Sequence, residues 1–226
     1  MLCFIAFLCP AQDNLLDEHF KEVDSLYRED QFYIGLGINI LGDMPDGMRQ
    51  SGLSGGFFLF FIRDMPVNRR RNLSIGVGLG LAIDTYSQNL FIGEAENEQT
   101  IFEVIDSDVD YSTNRFSTHI VEVPLHLRWR TSNIGDTSSF WRIYAGINVG
   151  YMYYFRSTFE QENNRVRQTD LDELNRLRWN LLFSFGKSKI NFFANYSLNP
   201  LFDGVDVESN PVNIAVFKAG VIFYIL

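Results

Sequence analysis

The stretch LSIGVGLGLAID, residues 73–84, alternates strictly between two kinds of residue. Its odd-numbered positions, from Leu73 to Ile83, are large and aliphatic, and its even-numbered positions are Ser, Gly, Ala or Asp. Because successive residues of a β-strand point to opposite faces, this pattern predicts a strand with one aliphatic face and one small or polar face. The pattern alone leaves open which of the two faces points inward.

Six other segments of the chain also follow a period of two, and with the apolar segment 54–64 the sequence predicts eight strands. The segment 54–64 is apolar on both faces, and its register stays open. Most of the eight reach or exceed the roughly 9–11 residues that a tilted strand needs to cross a bilayer, whereas soluble strands have a mode of about 5–6. The predicted strands are 32–40, 54–64, 73–84, 119–130, 141–155, 176–186, 190–198 and 214–226.

Large aromatic residues near the predicted strand ends decide between a soluble and a membrane fold. A soluble sandwich or lipocalin-like barrel would crowd these side chains into one narrow core. A transmembrane barrel places them in two girdles at the membrane interfaces, and its small interior suits the Gly-rich face. We therefore predict an all-β fold, an eight-stranded antiparallel transmembrane β-barrel with its aliphatic faces toward lipid. The predicted girdle residues are Trp129, Trp141, Tyr151, Tyr153, Phe155 and Trp179.

The connections between the predicted strands alternate between short turns and longer loops. This alternation is typical of outer-membrane barrels, with the turns in the periplasm and the loops outside the cell. It predicts that both termini lie in the periplasm, that Arg69, Arg70 and Arg71 form part of a periplasmic turn, and that 85–118 and 156–175 are extracellular. The short turns are 65–72, 131–139 and 186–189, and the longer loops are 41–53, 85–118, 156–175 and 199–213.

Composition supports the same fold class. Aromatic residues make up 15% of the chain, yet mean hydropathy is near zero at −0.06, as expected when apolar and polar faces average out. A net charge of −9 argues against a nucleic-acid partner. The sequence contains no run of about 18 apolar residues, so no transmembrane helix is predicted.

The first thirty residues differ from the rest of the chain. Residues 1–11 resemble a secretion signal peptide that lacks a basic start, and a buried N-terminal strand is the alternative. Removal of this segment would also remove both cysteines, Cys3 and Cys9, and with them any disulfide or thiol chemistry. Residues 12–30 predict a short amphipathic helix in the periplasm or, alternatively, a polar linker, and 31–226 form the barrel. The helical spacing involves Leu16, Phe20, Val23 and Tyr27.

A set of charged residues falls on the predicted inward faces of the strands. Buried charges must be paired or hydrogen-bonded, so we expect the two carboxylates of this set to pair with its cations. The set forms either an ion path or a packed plug, and the narrow interior of an eight-stranded barrel favours the plug. The predicted lumen charge cluster consists of Asp84, Glu122, His126, Arg128, Arg142, Arg178 and Lys218.

Other candidate chemistry is weak. The segment DSDVD, 106–110, has the alternating carboxylates of a calcium loop but lacks the Gly and distal Glu of an EF-hand, so a solvated acidic loop is the plainer interpretation. His19, His119 and His126 lack the spacing of metal ligands. No nucleophile–base set or phosphate loop is recognisable, and we expect no catalytic, cofactor-binding or metal-binding residues.

The strand HIVEVPLHLRWR, 119–130, resembles a strand of the PorT-like outer-membrane β-barrel family of Bacteroidetes, and WRIYAGINVGYMYYF, 141–155, is similar to the strand that follows it. The resemblance spans roughly residues 30–226. It implies a barrel in the bacterial outer membrane and, through the best-known member, a link to type IX protein secretion. The expected function is a non-enzymatic accessory or structural component of a surface or secretion assembly. Its expected partners are outer-membrane lipid and other outer-membrane or periplasmic proteins. A lipid-modifying or proteolytic outer-membrane enzyme and a small-solute channel remain alternatives.

Overall fold

The computed structural model describes residues 30–68, 70–95, 99–131, 140–207 and 210–225, which form thirteen strands. The predicted signal peptide and amphipathic helix lie outside these residues, except for Asp30, which begins the first strand. None of the described segments is a helix of the length and apolarity required to cross a membrane. The strands are β1 Asp30–Gly42, β2 Gly55–Pro66, β3 Leu73–Ser87, β4 Leu90–Glu94, β5 Thr100–Val104, β6 Thr113–Arg130, β7 Trp141–Gln161, β8 Asn164–Gln168, β9 Leu177–Lys187, β10 Ile190–Ser197, β11 Asp206–Val207, β12 Asn210–Pro211 and β13 Ala215–Tyr224.

Eight of these strands close into an antiparallel barrel, which confirms the predicted fold class. Their order is β6-β3-β2-β1-β13-β10-β9-β7, and the pairing of β6 with β7 closes the ring. The first and last strands are neighbours, with Tyr33 opposite Tyr224. The end of the barrel at which β2, β6 and β9 finish and β3, β7 and β10 begin is called the short-turn end, and the opposite end is called the long-loop end.

The faces of β3 answer the question raised by its alternation. Leu79 and Leu81 point outward and are about half exposed, whereas Ala82 and Asp84 are buried inside the barrel. The same division holds on the other barrel strands, so the outer wall is a continuous band of exposed aliphatic and aromatic side chains. An apolar surface this large is unfavourable in water and fits the hydrocarbon of a membrane.

The structure also fixes the register of β2, which the sequence left open. Phe58 and Phe60 point inward, and each lies opposite a glycine on a flanking strand, Gly35 on β1 and Gly80 on β3. A Cβ atom added at Gly80 would lie 2.2 Å from the Phe60 ring. These glycines leave the space that the two rings need inside a barrel of this diameter.

Two aromatic girdles border the apolar band. Trp129 and Trp141 lie at the short-turn end, and Tyr151, Tyr153 and Trp179 lie toward the long-loop end. Trp141 and Tyr151 are ten residues apart on β7, which is about 33 Å along a strand and about 25 Å along the axis of a barrel whose strands tilt by about 40°. That height is typical of a transmembrane barrel.

Phe155, predicted to be a girdle residue, instead points into the protein and is fully buried. The reason is a β-bulge. His119 lies opposite Tyr154 and Ile120 opposite Met152, so Tyr153 is an extra residue on β7 and the facing of all later residues is reversed. The prediction was wrong at this position because a simple period of two cannot contain the bulge.

The predicted loops 85–118 and 156–175 are shorter than expected, because β6 begins at Thr113 and β7 continues to Gln161. The other described residues at the long-loop end fold over it as a cap, which contains the paired strands β4 and β5, the strand β8 and the paired strands β11 and β12. The cap has a core of fully buried side chains centred on Phe202. Its most buried members are Leu90, Ile92, Phe116, Phe155, Leu171, Leu201, Phe202, Val212 and Ile214.

Candidate functional site

All seven residues of the predicted lumen charge cluster are buried inside the barrel, and the least buried of them, Lys218, is only 7% exposed. They do not form one cluster. The structure separates them into a group at the short-turn end, a group near mid-height and a group below the cap. Each group satisfies its charges in a different way.

Asp64 is the centre of the group at the short-turn end. One of its carboxylate oxygens, Oδ1, accepts a hydrogen bond from Arg128, and the other, Oδ2, accepts one from Arg130, so each oxygen forms an ion pair. Arg128 also donates to Oε1 of Gln31 over 2.7 Å, and Nε of Arg130 donates to the Tyr144 hydroxyl over 2.9 Å. Charge-assisted bonds of this kind are the strong ones in a protein interior.

Aromatic rings cover the arginines of this group. The guanidinium carbon of Arg128 lies 4.1 Å from the centre of the Tyr144 ring. That of Arg142 lies 4.3 Å from the centre of the Tyr224 ring and 4.7 Å from that of Phe140. Arg142 has no carboxylate partner among the described residues, and its Nε and Nη1 atoms have no hydrogen-bond partner there. The predicted pairing of Arg142 with Asp84 or Glu122 is therefore not present.

Glu122 lies near mid-height and is surrounded by amides instead of arginines. Its Oε2 atom accepts a hydrogen bond from Nδ2 of Asn148 over 2.9 Å, and its Oε1 atom accepts one from Asn180 over 3.5 Å. The other end of the Asn148 amide, Oδ1, lies 2.7 Å from Nε2 of His126. Glu122 and His126 are thus joined through an amide side chain and do not contact each other directly.

The third group lies below the cap. The Lys218 ammonium contacts Oδ2 of Asp84 at 2.7 Å, and Asn39 donates to Oδ1 of the same carboxylate over 3.1 Å. Arg178 donates to the backbone carbonyl of Pro200, which joins the barrel to the segment that precedes β11. Of the pairings proposed from the sequence, Asp84 with Lys218 is the one that occurs as an ion pair within the described residues.

Sequence reasoning missed the carboxylate with the most cationic partners. Asp64 was not included because the segment 54–64 is apolar on both faces and its register was open. Once the structure shows that Phe57, Leu59 and Phe61 point outward, the alternation along β2 places Asp64 inside the barrel. Arg130 shares the inward face of Arg128 and was also left out of the predicted cluster.

Side chains fill the interior between these groups. A cavity bordered by Glu122, Lys218 and inward aromatic rings measures about 10 Å³, which is the lower limit for a single water molecule. Within the described part of the chain, no three His, Cys, Asp or Glu side chains are arranged to hold a metal ion, and this includes the carboxylates of 106–110. The geometry is that of a packed, hydrogen-bonded plug.

Comparison with known proteins agrees with the barrel fold. Residues 11–203 match the family described as "Outer membrane protein beta-barrel domain". No curated protein matches the chain with significance.

Proposed function

Because the chain belongs to the family of outer membrane protein β-barrel domains, we propose that it is a non-enzymatic accessory or structural component of an assembly in the bacterial outer membrane. The observation that supports this proposal is the filled interior. A barrel whose lumen is occupied by buried ion pairs, and whose long-loop end is covered by a folded cap, presents its outer surfaces to other molecules and offers no wide passage through its centre.

The proposal includes an orientation. Short turns at one end and long, folded segments at the other favour a cap outside the cell and both termini in the periplasm. Residues 12–30 would then extend from β1 into the periplasm, where an amphipathic segment can contact a periplasmic protein. Outer-membrane lipid around the wall, together with outer-membrane or periplasmic proteins, would be the partners.

A more specific form of the proposal is that this assembly is a type IX-like secretion system. It is supported by the resemblance of 119–130 and 141–155 to strands of PorT-like proteins. In the structure these segments form most of β6 and the first part of β7. Glu122 and Arg128, which lie in the first of these segments, point into the plug, so part of the resemblance involves residues that fill the barrel.

Two measurements test the proposal. In a bacterium that carries this gene and a type IX system, its deletion should leave secreted proteins in the periplasm, and the wild-type gene should restore their export. Chemical crosslinking in intact outer membranes, followed by capture through a tag inserted after Asp108, should recover the same assembly proteins repeatedly. Unchanged export together with no reproducible partner would contradict the proposal.

A planar-bilayer recording provides the discriminating control. The filled lumen predicts no stable single-channel steps for the purified wild-type protein. Regular conductance steps would support the channel alternative and would require the polar groups of the lumen to rearrange. Release of a product from lipid or peptide substrates by the purified protein would support the enzyme alternative.

A further inference from the structure

The β-bulge at Tyr153 changes the outer wall just beyond the girdle. Without the extra residue, Phe155 would point outward and Arg156 inward. With it, Phe155 enters the core of the cap, while Tyr154 and Arg156 take the outward positions. The bulge therefore places a cation on the outer wall above the apolar band.

Arg156 is one of several basic groups at this height. The ring centre of His119 lies 4.8 Å from that of Tyr154, and the guanidinium of Arg156 lies 5.2 Å from the Tyr154 ring. On the neighbouring strands, Arg115 and Arg167 flank the same residue, Thr158, from opposite sides. We call Arg115, His119, Tyr154, Arg156 and Arg167 the basic patch.

The basic patch has unused binding capacity. Arg115, Arg156 and Arg167 are exposed and have no carboxylate partner among the described residues. The hydroxyl of Tyr154 is buried and has no hydrogen-bond partner there. The adjacent outward positions of β3 and β6, namely Ile83, Thr85, Ser87 and Ser117, are all uncharged. The nearest acid on β7, Glu160, faces Arg165 at 3.7 Å.

The depth of the basic patch identifies the kind of molecule that meets it. Tyr151 and Tyr153 mark the edge of the apolar band, and Arg156 follows Tyr153 by three residues, a rise of about 8 Å along a tilted strand. Polar headgroups occupy this zone next to the hydrocarbon. Long arginine side chains can also reach back toward the interface while their charges stay in the polar zone.

We propose that the basic patch binds the phosphate groups of a phosphorylated glycolipid in the outer leaflet of the outer membrane. Arginine suits this ligand because its planar guanidinium donates several parallel hydrogen bonds to phosphate oxygens. The choice of leaflet depends on the proposed orientation, with the cap outside the cell.

The test uses the full-length protein in detergent micelles and bisphosphorylated lipid A as the probe. The triple variant Arg115→Ala/Arg156→Ala/Arg167→Ala should bind lipid A at least about tenfold more weakly than wild type, because three charge-assisted contacts are removed. The matched control is Arg70→Ala/Lys187→Ala/Lys189→Ala, which removes the same charge from the short-turn end. The control should bind as wild type does.

Two further probes separate the possible ligand sources. Dephosphorylated lipid A should lose most of the affinity, and binding of the phosphorylated form should weaken as salt rises from 0.15 to about 0.5 M. Phosphatidylglycerol tests the inner-leaflet source and should bind the basic patch more weakly than lipid A. Equal binding by the triple variant and wild type, or equal binding of dephosphorylated lipid A, would overturn the proposal.

The orientation on which the proposal depends is measured separately. In a chain with Cys3 and Cys9 replaced by serine, Asp108→Cys should react with a membrane-impermeant thiol reagent on intact cells, whereas Lys189→Cys should not. The reverse labelling would overturn the outer-leaflet assignment. It would leave the accessory role in an outer-membrane assembly to be judged by the export and crosslinking results.

Discussion

The barrel is closed at its two ends by different physical means. At the short-turn end, Asp64, Arg128 and Arg130 form a buried charged group covered by tyrosine rings. At the long-loop end, the cap buries Phe202 and its apolar neighbours, and the ion pair of Asp84 with Lys218 lies beneath it. The difference follows from the surroundings. The lumen charges lie where no bulk water can solvate them and so need partners, whereas cap segments in water gain stability by burying apolar surface.

The comparison predicts the largest loss for removal of Asp64. Asp64→Ala would leave two buried guanidinium groups uncompensated, and we expect the free energy of unfolding to fall by about 3–5 kcal/mol. Urea unfolding from lipid vesicles, followed by tryptophan fluorescence, measures the change. The matched control is Glu160→Ala, which breaks a half-exposed pair with Arg165 and should cost about 0–1 kcal/mol. Equal losses in the two variants would contradict the charged closure of the short-turn end.

A substitution in the core of the cap should destabilise the cap without opening the barrel. Phe202 is fully buried and its ring lies 5.3 Å from Phe102 and 6.2 Å from both Phe116 and Phe155, measured between ring centres. We expect Phe202→Ala to cost about 3–5 kcal/mol within the cap. Because the eight barrel strands pair into a closed ring without the cap, proteases should cut the cap while the heat-dependent shift in gel mobility stays as in wild type. Leu53→Ala, at an 85% exposed position, is the control and should change neither readout. Loss of the gel shift in Phe202→Ala would show that the barrel depends on its cap.

Between the two ends, aromatic rings occupy the space above inward glycines. A methyl group added at Gly80 would meet Phe60, whereas one added at Gly42 has no neighbour nearer than 3.9 Å. We expect Gly80→Ala to lower the free energy of unfolding by about 1–3 kcal/mol and Gly42→Ala to change it little. The same urea titration measures both. If the two variants unfold at the same urea concentration, the Phe60 ring has room to move and the aromatic rings inside the barrel are not tightly packed.

The barrel could be predicted from the sequence because its signal is local and repeats along each strand. Strict alternation, as in 73–84, shows the two faces, and the positions of Trp141 and Tyr151 show where the apolar band ends. The cap could not be predicted in this way, because residues such as Phe116 on β6, Phe155 on β7 and Phe202 before β11 are far apart in the sequence and meet only in the folded protein. No period connects them.

The sequence predicts which residues belong to the candidate site better than it predicts which of them pair with each other. Alternation indicates that Glu122, Arg128 and Lys218 point inward, but the choice of partners depends on strand register and shear around the closed ring. Asp64 lies on β2, two strands from Arg128 on β6, and no spacing in the sequence relates them. A regular alternation with a period of two also cannot reveal a single extra residue such as Tyr153. This residue nevertheless reverses the direction in which the Phe155 side chain points.

The smallest predicted effect gives the sharpest test of how the interior is divided. The test compares two nearly isosteric substitutions, each of which removes one negative charge. Glu122 accepts hydrogen bonds from the amides of Asn148 and Asn180, and a glutamine at this position still offers one oxygen to them. Glu122→Gln should therefore cost about 1–2 kcal/mol. Asp64→Asn should cost about 3–5 kcal/mol, because its two arginine partners lose their counter-charge. Urea unfolding of both variants, with wild type in the same vesicles, gives the two differences. Equal costs would mean that Glu122 balances cations across the lumen, and the division of the interior into a charged end and an amide-lined middle would then be wrong.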